Sequence, residues 1–292
     1  MNHQYTSVNE YLTNQFGEKV YKLSLNAGLT CPNRDGTLGT GGCIFCSEGG
    51  SGDFAMSNGS IYQQIEDARA LISSKTNCRK FIAYFQAFTN TYGPIEYLRN
   101  IFTEAINHPD IVVLSIATRC DCINDKVLAL LVELNKIKPV WIEMGLQSVH
   151  PQTLELIRCG YTFEQFKKAT SQLSDVGIDV IAHIILGLPG ENTSMMLESV
   201  EKVCALPIKG IKLSLLHVLK NTVLADMYEA SPWPMMSLDE YCHLVVDCID
   251  VIPDNIVVHR ITGDGPRKLL IAPSWSTDKK RILNTINQLL KS

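Results

Sequence analysis

The sequence predicts an α/β fold: a partial (β/α)6 barrel of the TIM type with a C-terminal α/β extension. Three observations carry that expectation. Short runs rich in β-branched and aromatic residues alternate with helical patterns, as in a parallel sheet covered by helices. Six strand–helix units precede a change of pattern near Asn221, which suits a barrel left open on one side for a large substrate better than a closed eight-unit barrel. The 292 residues, 46% of them hydrophobic, are enough for one large core.

The first strand is expected at Val20 to Leu25, ending at a glycine-rich cysteine loop. A helix follows from about Ser60 to Ser73, with Ile61, Ile65, Ala68 and Leu71 on one face. The second strand is Phe81 to Phe85, then a helix from Pro94 to Asn107. The third strand, Ile111 to Ala117, leads into a helix at Asp125 to Asn135. Val140 to Leu146 is the fourth strand, and helices fill Pro151 to Val176. The fifth strand, Asp179 to Leu186, is followed by a helix after Gly190, and Ile211 to Val218 is the sixth. Residues 1–220 are thus assigned to the barrel and 221–292 to an extension packed on it. Within the extension, Leu238 to Val251 reads as a helix, Ile256 to Ile261 as a candidate seventh strand and Lys279 to Leu290 as a terminal helix. The Gly- and Ser-rich stretch Ser47 to Ser60 is the expected mobile loop.

The N-terminus lacks the apolar core of a signal peptide and no run reaches the ~18 apolar residues of a membrane span. A cytoplasmic protein without membrane contact is expected, and its ten cysteines should stay reduced. The net charge of −4 conceals an asymmetry: from Val257 onward the chain carries +5 and the remainder −9. A basic tail on an acidic body suits phosphate contact, and equally a solvated amphipathic helix.

Cys31, Cys43 and Cys46 share one loop with no fourth cysteine close in sequence. Three thiolates on a four-iron cube leave one iron open, and the amino and carboxylate groups of S-adenosylmethionine could chelate there. Phe45, just before the last cysteine, could flank an adenine. On the fourth strand Trp141, Glu143, Gly145 and Gln147 share a face, and Glu143 there is either a ribose partner or a structural hydrogen-bond acceptor. The fifth strand ends Gly187-Leu188-Pro189-Gly190-Glu191, where glycines let backbone approach a ligand and Glu191 could cap the next helix. Gln86 opens the polar and aromatic run to Tyr92 that could hold a methionyl end, although Phe85 and Phe88 could be plain core.

Together with these residues, Gly52-Asp53-Phe54-Ala55, Tyr84 to Tyr92, Glu143 to Ser148, His183, His259 to Asp264 and Ala272-Pro273-Ser274-Trp275 make the chain resemble the radical SAM superfamily. Within that superfamily it resembles the bacterial YhcC/YtqA-type group related to the catalytic subunit of Elongator. Eleven residues between the first two cysteines, rather than three, are similar to the Elongator-like branch. The resemblance implies a [4Fe-4S] cluster on Cys31, Cys43 and Cys46. S-adenosyl-L-methionine would be contacted by Phe45, Gln86 and Glu143, with Gly187 and Gly190 at the ligand-facing turn. It implies generation of a 5′-deoxyadenosyl radical, tRNA as substrate, and remodelling of the wobble-uridine C5 side chain, such as carboxymethylaminomethyl to aminomethyl. An electron donor such as flavodoxin or ferredoxin is implied too. No acetyltransferase domain is expected, and no catalytic residue is assigned.

Two other readings remain. One is a radical enzyme acting on a small metabolite; the other is a zinc-stabilised RNA-binding protein, although structural zinc sites normally arrive as two ligand pairs. Cys120 and Cys122 are either packing residues or a second metal or thiol site. Cys78, Cys159, Cys204, Cys242 and Cys248 have no ligand spacing and read as packing. His183, His217 and His259 read as structural, with His259 and Arg260 the first candidates for RNA or substrate contact.

Overall fold

The computed structural model describes residues 5–291 except 51, 53–54, 56–58, 75 and 264. Asp53, Phe54, Asp264 and six of the fourteen residues of the expected mobile loop therefore lie outside the described residues. The chain begins with a helix, α1 (Val8–Phe16), that the strand–helix count does not anticipate. Ser7 caps it by accepting from the Glu10 amide, and Gly17 ends it in the left-handed region.

The barrel strands follow as β1 (Val20–Leu25), β2 (Lys80–Phe85), β3 (Ile111–Arg119), β4 (Val140–Gln147), β5 (Asp179–Leu186) and β6 (Gly210–Leu215). Between them run α2 (Ile61–Ile72), α3 (Ile95–Asn107), α4 (Asp125–Asn135), α5 (Pro151–Leu156), α6 (Phe163–Asp175) and α7 (Thr193–Cys204). Each strand pairs in parallel with the next, so a helix must carry the chain back each time. The expected partial barrel is formed. On α2, Ile61, Ile65 and Ala68 are buried as expected, but Leu71 is 65% exposed. Asn192, not Glu191, caps α7; the Glu191 carboxylate instead accepts from the Ser148 hydroxyl.

Two features appear beyond residue 215. Val218 does not extend β6; it belongs to β7 (Val218–Leu219), which pairs antiparallel with β9 (Leu270–Ala272). After α8 (Val223–Ala230) and α9 (Leu238–Val251), β8 (Val257–Arg260) joins β6 as a seventh parallel strand. The chain closes with α10 (Lys279–Leu289), which packs on α9 through Ile282 and Ile286.

One end of the curled sheet is plugged. Leu12 of α1 packs with Val20, Ile82, Val113, Trp141 and Ile181, one inward residue from each of five strands. Trp141 meets Tyr11 at 6.4 Å and the His259 ring at 5.2 Å. His259 fits because its neighbour is Gly210, where a Cβ would come within 2.6 Å of the imidazole. The Val258 amide donates to the Thr6 carbonyl, tying the N-terminal segment to the last strand.

Candidate functional site

The other end of the barrel is open. The carboxyl ends of β2 to β6 and the cysteine loop surround a cavity of about 290 Å³, where parallel barrels collect functional groups. Cys31, Cys43, Cys46, Phe45, Gln86 and Glu143 all line it. Gly187 and Gly190 do not. Both have positive φ, +91° and +84°, and they shape the turn after β5, where the Gly187 amide donates to the Met196 sulfur at 3.0 Å.

The cysteine loop is pinned from behind. Ile44 is 1% exposed; its amide donates to the Ile157 carbonyl, and its carbonyl accepts from the Leu224 amide. That anchor leaves Cys43 and Cys46 facing the cavity on either side. The Asn33 amide nitrogen donates to the carbonyls of Arg158 and Cys159 at 2.8 and 3.1 Å, and lies 3.6 Å from the Cys43 sulfur. The Arg34 guanidinium donates to the Ser47 and Cys46 carbonyls and lies over the Phe88 ring. Contact with Cys159 and burial push the Cys43 thiol well up. Burial, and then the Cys43 neighbour, push Cys46 to about 12. Thiols stored in protonated form release their protons when they ligate metal.

Among the described residues no three His, Cys, Asp or Glu side chains converge on one metal ion. A four-iron cube takes each thiolate at a separate iron, so a spread of three thiols around one cavity suits that group. The donor set fits: three sulfurs, a side-chain amide at one of them and an open side.

The segment after β2 divides its work. Phe85 is core, edge-on to Phe102 at 5.0 Å. Asn90 donates to the Phe85 and Ala117 carbonyls, Thr91 bonds Thr118 at 2.5 Å, and Tyr92 bonds Thr37 at 2.8 Å. These contacts tie β2 to β3 and to the cysteine loop, while Gln86, Phe88 and Thr89 face the cavity. Cys120 is 4% exposed within the core, and burial, then Asp121, push both the Cys120 and Cys122 thiols to about 12. Their neighbour Arg119 forms a two-pronged pair with Asp121 at 2.9 and 2.7 Å and stacks on Tyr161.

Below this rim lies a charged layer that reasoning along the chain does not assemble. Glu143 is fully buried and both its oxygens are engaged. Oε1 accepts from Lys22 at 2.6 Å and Ser115 at 2.8 Å; Oε2 accepts from Lys212 and lies 3.0 Å from His183 Nε2. A ribose hydroxyl would have to share those oxygens. Burial opposes ionisation, but Lys212 and Lys22 outweigh it and hold the carboxyl well below its usual range. His183 is lowered to about 4 by burial and by Lys212. Both ammoniums lie over the Tyr84 ring, at 4.4 and 4.8 Å. The sequence does hold a signal for this layer: Lys22 and Lys212 each interrupt an apolar run in a strand buried in a parallel sheet, where a charge needs a partner.

Among the described residues no helix is long and apolar enough to cross a membrane. The family model for the radical SAM superfamily matches residues 31–203, and that for the radical SAM C-terminal domain matches 208–292. YtqA of Bacillus subtilis is 44% identical over 290 residues, covering 99% of this chain and 90% of that protein. YhcC of Escherichia coli K12 is 36% identical, covering 92% and 86%. A tRNA uridine(34) acetyltransferase of Methanocaldococcus jannaschii is 24% identical over 55% of this chain and 30% of its own length. Among solved structures, the Elp3 of Methanocaldococcus infernus superposes with a TM-score of 0.69 at 17% identity, covering 92% of this chain and 63% of that one.

Proposed function

The chain belongs to the radical SAM superfamily, in the group of YtqA and YhcC, and from that premise we propose that it is a tRNA-modifying enzyme acting on the C5 side chain of the wobble uridine. The observation that carries the reading is the set of three thiols facing one cavity at the open mouth of a parallel half-barrel. Cys31, Cys43 and Cys46 would hold a [4Fe-4S] cluster. When bound, that cluster with S-adenosyl-L-methionine supplies a 5′-deoxyadenosyl radical able to take a hydrogen atom from an inert C–H.

This chain's own residues bind, orient and exclude water. Phe45 and Gln86 line the wall beside the thiols, and Arg34 holds the loop by its carbonyls. The apolar plug around Trp141 closes the far end of the barrel. The tRNA part rests on the partial likeness to the uridine(34) acetyltransferase and on the exposed Lys279, Lys280 and Arg281 that begin α10. An electron donor of the flavodoxin or ferredoxin class would complete the cycle.

The test is nucleoside analysis of tRNA from cells with and without the protein. Accumulation of carboxymethylaminomethyluridine with loss of its aminomethyl product is the expected outcome. An unchanged nucleoside profile overturns the tRNA reading.

A further inference from the structure

Two lysine ammoniums in the barrel share one carboxylate. Among the described residues, Glu143 is the one acid in contact with either Lys22 or Lys212. The layer just beneath shows that these strands fill their interior well with apolar side chains. Taking ions out of water costs several kcal/mol each, and apolar replacement of a buried ion cluster is often neutral or stabilising. Folding alone therefore gives no reason for two lysines on one buried carboxylate. The cluster is also reachable: Glu143, His183, Lys212 and Tyr84 form the cavity wall.

We propose that this layer is a subsite for a terminal carboxylate of the substrate, gripped by Lys212 of the cavity wall, with Glu143 as the resident anion that holds Lys212 and Lys22 in position. This deepens the proposed function and rests on its premise that the substrate enters this cavity. The chemistry selects the group. Glu143 is buried at the floor of the cavity, two residues before Gly145 of the cavity wall on β4. A backbone phosphodiester carries a ribose on each side and cannot end a slender arm at that depth, whereas a carboxylate can. His183, lowered to about 4, is neutral near pH 7 and can offer a hydrogen bond without adding charge. The Tyr84 ring fixes where both ammoniums lie.

The test needs no turnover. Carboxylate-13C-labelled N-methylglycine and, separately, inorganic phosphate are titrated into the reconstituted enzyme, and line broadening reports binding. Wild type should broaden the carboxylate signal, Lys212→Met should weaken that binding at least tenfold, and Lys212→Arg should largely keep it. Glu143→Gln should weaken it as well, because the lysines lose the anion that positions them. If Lys212→Met does not fold, Lys212→Gln is read in its place, with the same loss expected. Equal binding by wild type and Lys212→Met, absence of carboxylate binding, or a preference for phosphate overturns the subsite. Separately, an anticodon stem–loop carrying carboxymethylaminomethyluridine is assayed for binding. Lysine-dependent carboxylate binding without RNA binding leaves the subsite standing and rejects the tRNA reading; RNA binding with no effect of the lysines does the reverse.

Discussion

Two layers of the same barrel, one pleat apart, are chemically opposite. Val20, Trp141 and Ile181 belong to the plug; Lys22, Glu143 and His183, two residues further along the same strands, form the charged layer. Strand alternation puts both layers inside, so backbone geometry does not distinguish them. The plug is dry and apolar because α1 covers it. The charged layer tolerates ions because its other side is a cavity. The comparison teaches that the same inward alternation builds an apolar plug at one end and a charged cavity floor at the other.

The comparison can be broken first at the mouth. Cys43→Ala should abolish cluster binding and deoxyadenosine formation, read by iron content and chromatography, without unfolding the barrel. Retention of full iron would remove the basis of the upper layer's chemistry. Next, Glu143→Ala should destabilise the fold by about 3–5 kcal/mol in chemical denaturation, because it strands buried ammoniums. Leu12→Ala tests the plug and should cost about 2–5 kcal/mol through the cavity it leaves. If it costs nothing, α1 is not sealing the barrel.

Acid sharpens the contrast. His183 titrates near 6.5 when unfolded and near 4 when folded, so the unfolded chain binds the proton more readily. Stability should therefore fall as pH drops from about 6.5 to about 4, by on the order of 3 kcal/mol. Below about 4.5 the depressed Glu143 carboxyl adds to the loss in the same direction. His183→Gln should flatten the upper part of that profile, and an unaltered profile would refute the assignment. The smallest stability effect belongs to the exposed start of α10. Changing Lys279, Lys280 and Arg281 to Ala should alter stability by within about 0.5 kcal/mol, while weakening tRNA binding and its salt dependence.

The cysteine loop was legible along the chain because its three cysteines are close in sequence. The strands of the barrel were legible because a buried parallel strand is a short apolar run wherever it stands. Helix α1 was not, since it matters only through what it plugs. Nor was the seventh strand more than a candidate, because β8 is separated from its partner β6 by the short strand β7 and two helices. Glu143 stood out from the sequence, but its partners lie on β1, β3, β5 and β6.

The sequence by itself determined the parallel half-barrel and the three-thiol loop at its mouth, because periodicity and close spacing are local properties. Only the tertiary structure decided that two lysines 190 positions apart meet on one carboxylate. That meeting is made by curling the sheet until β1 and β6 face each other, and a charge buried there binds whatever the curvature brings within reach.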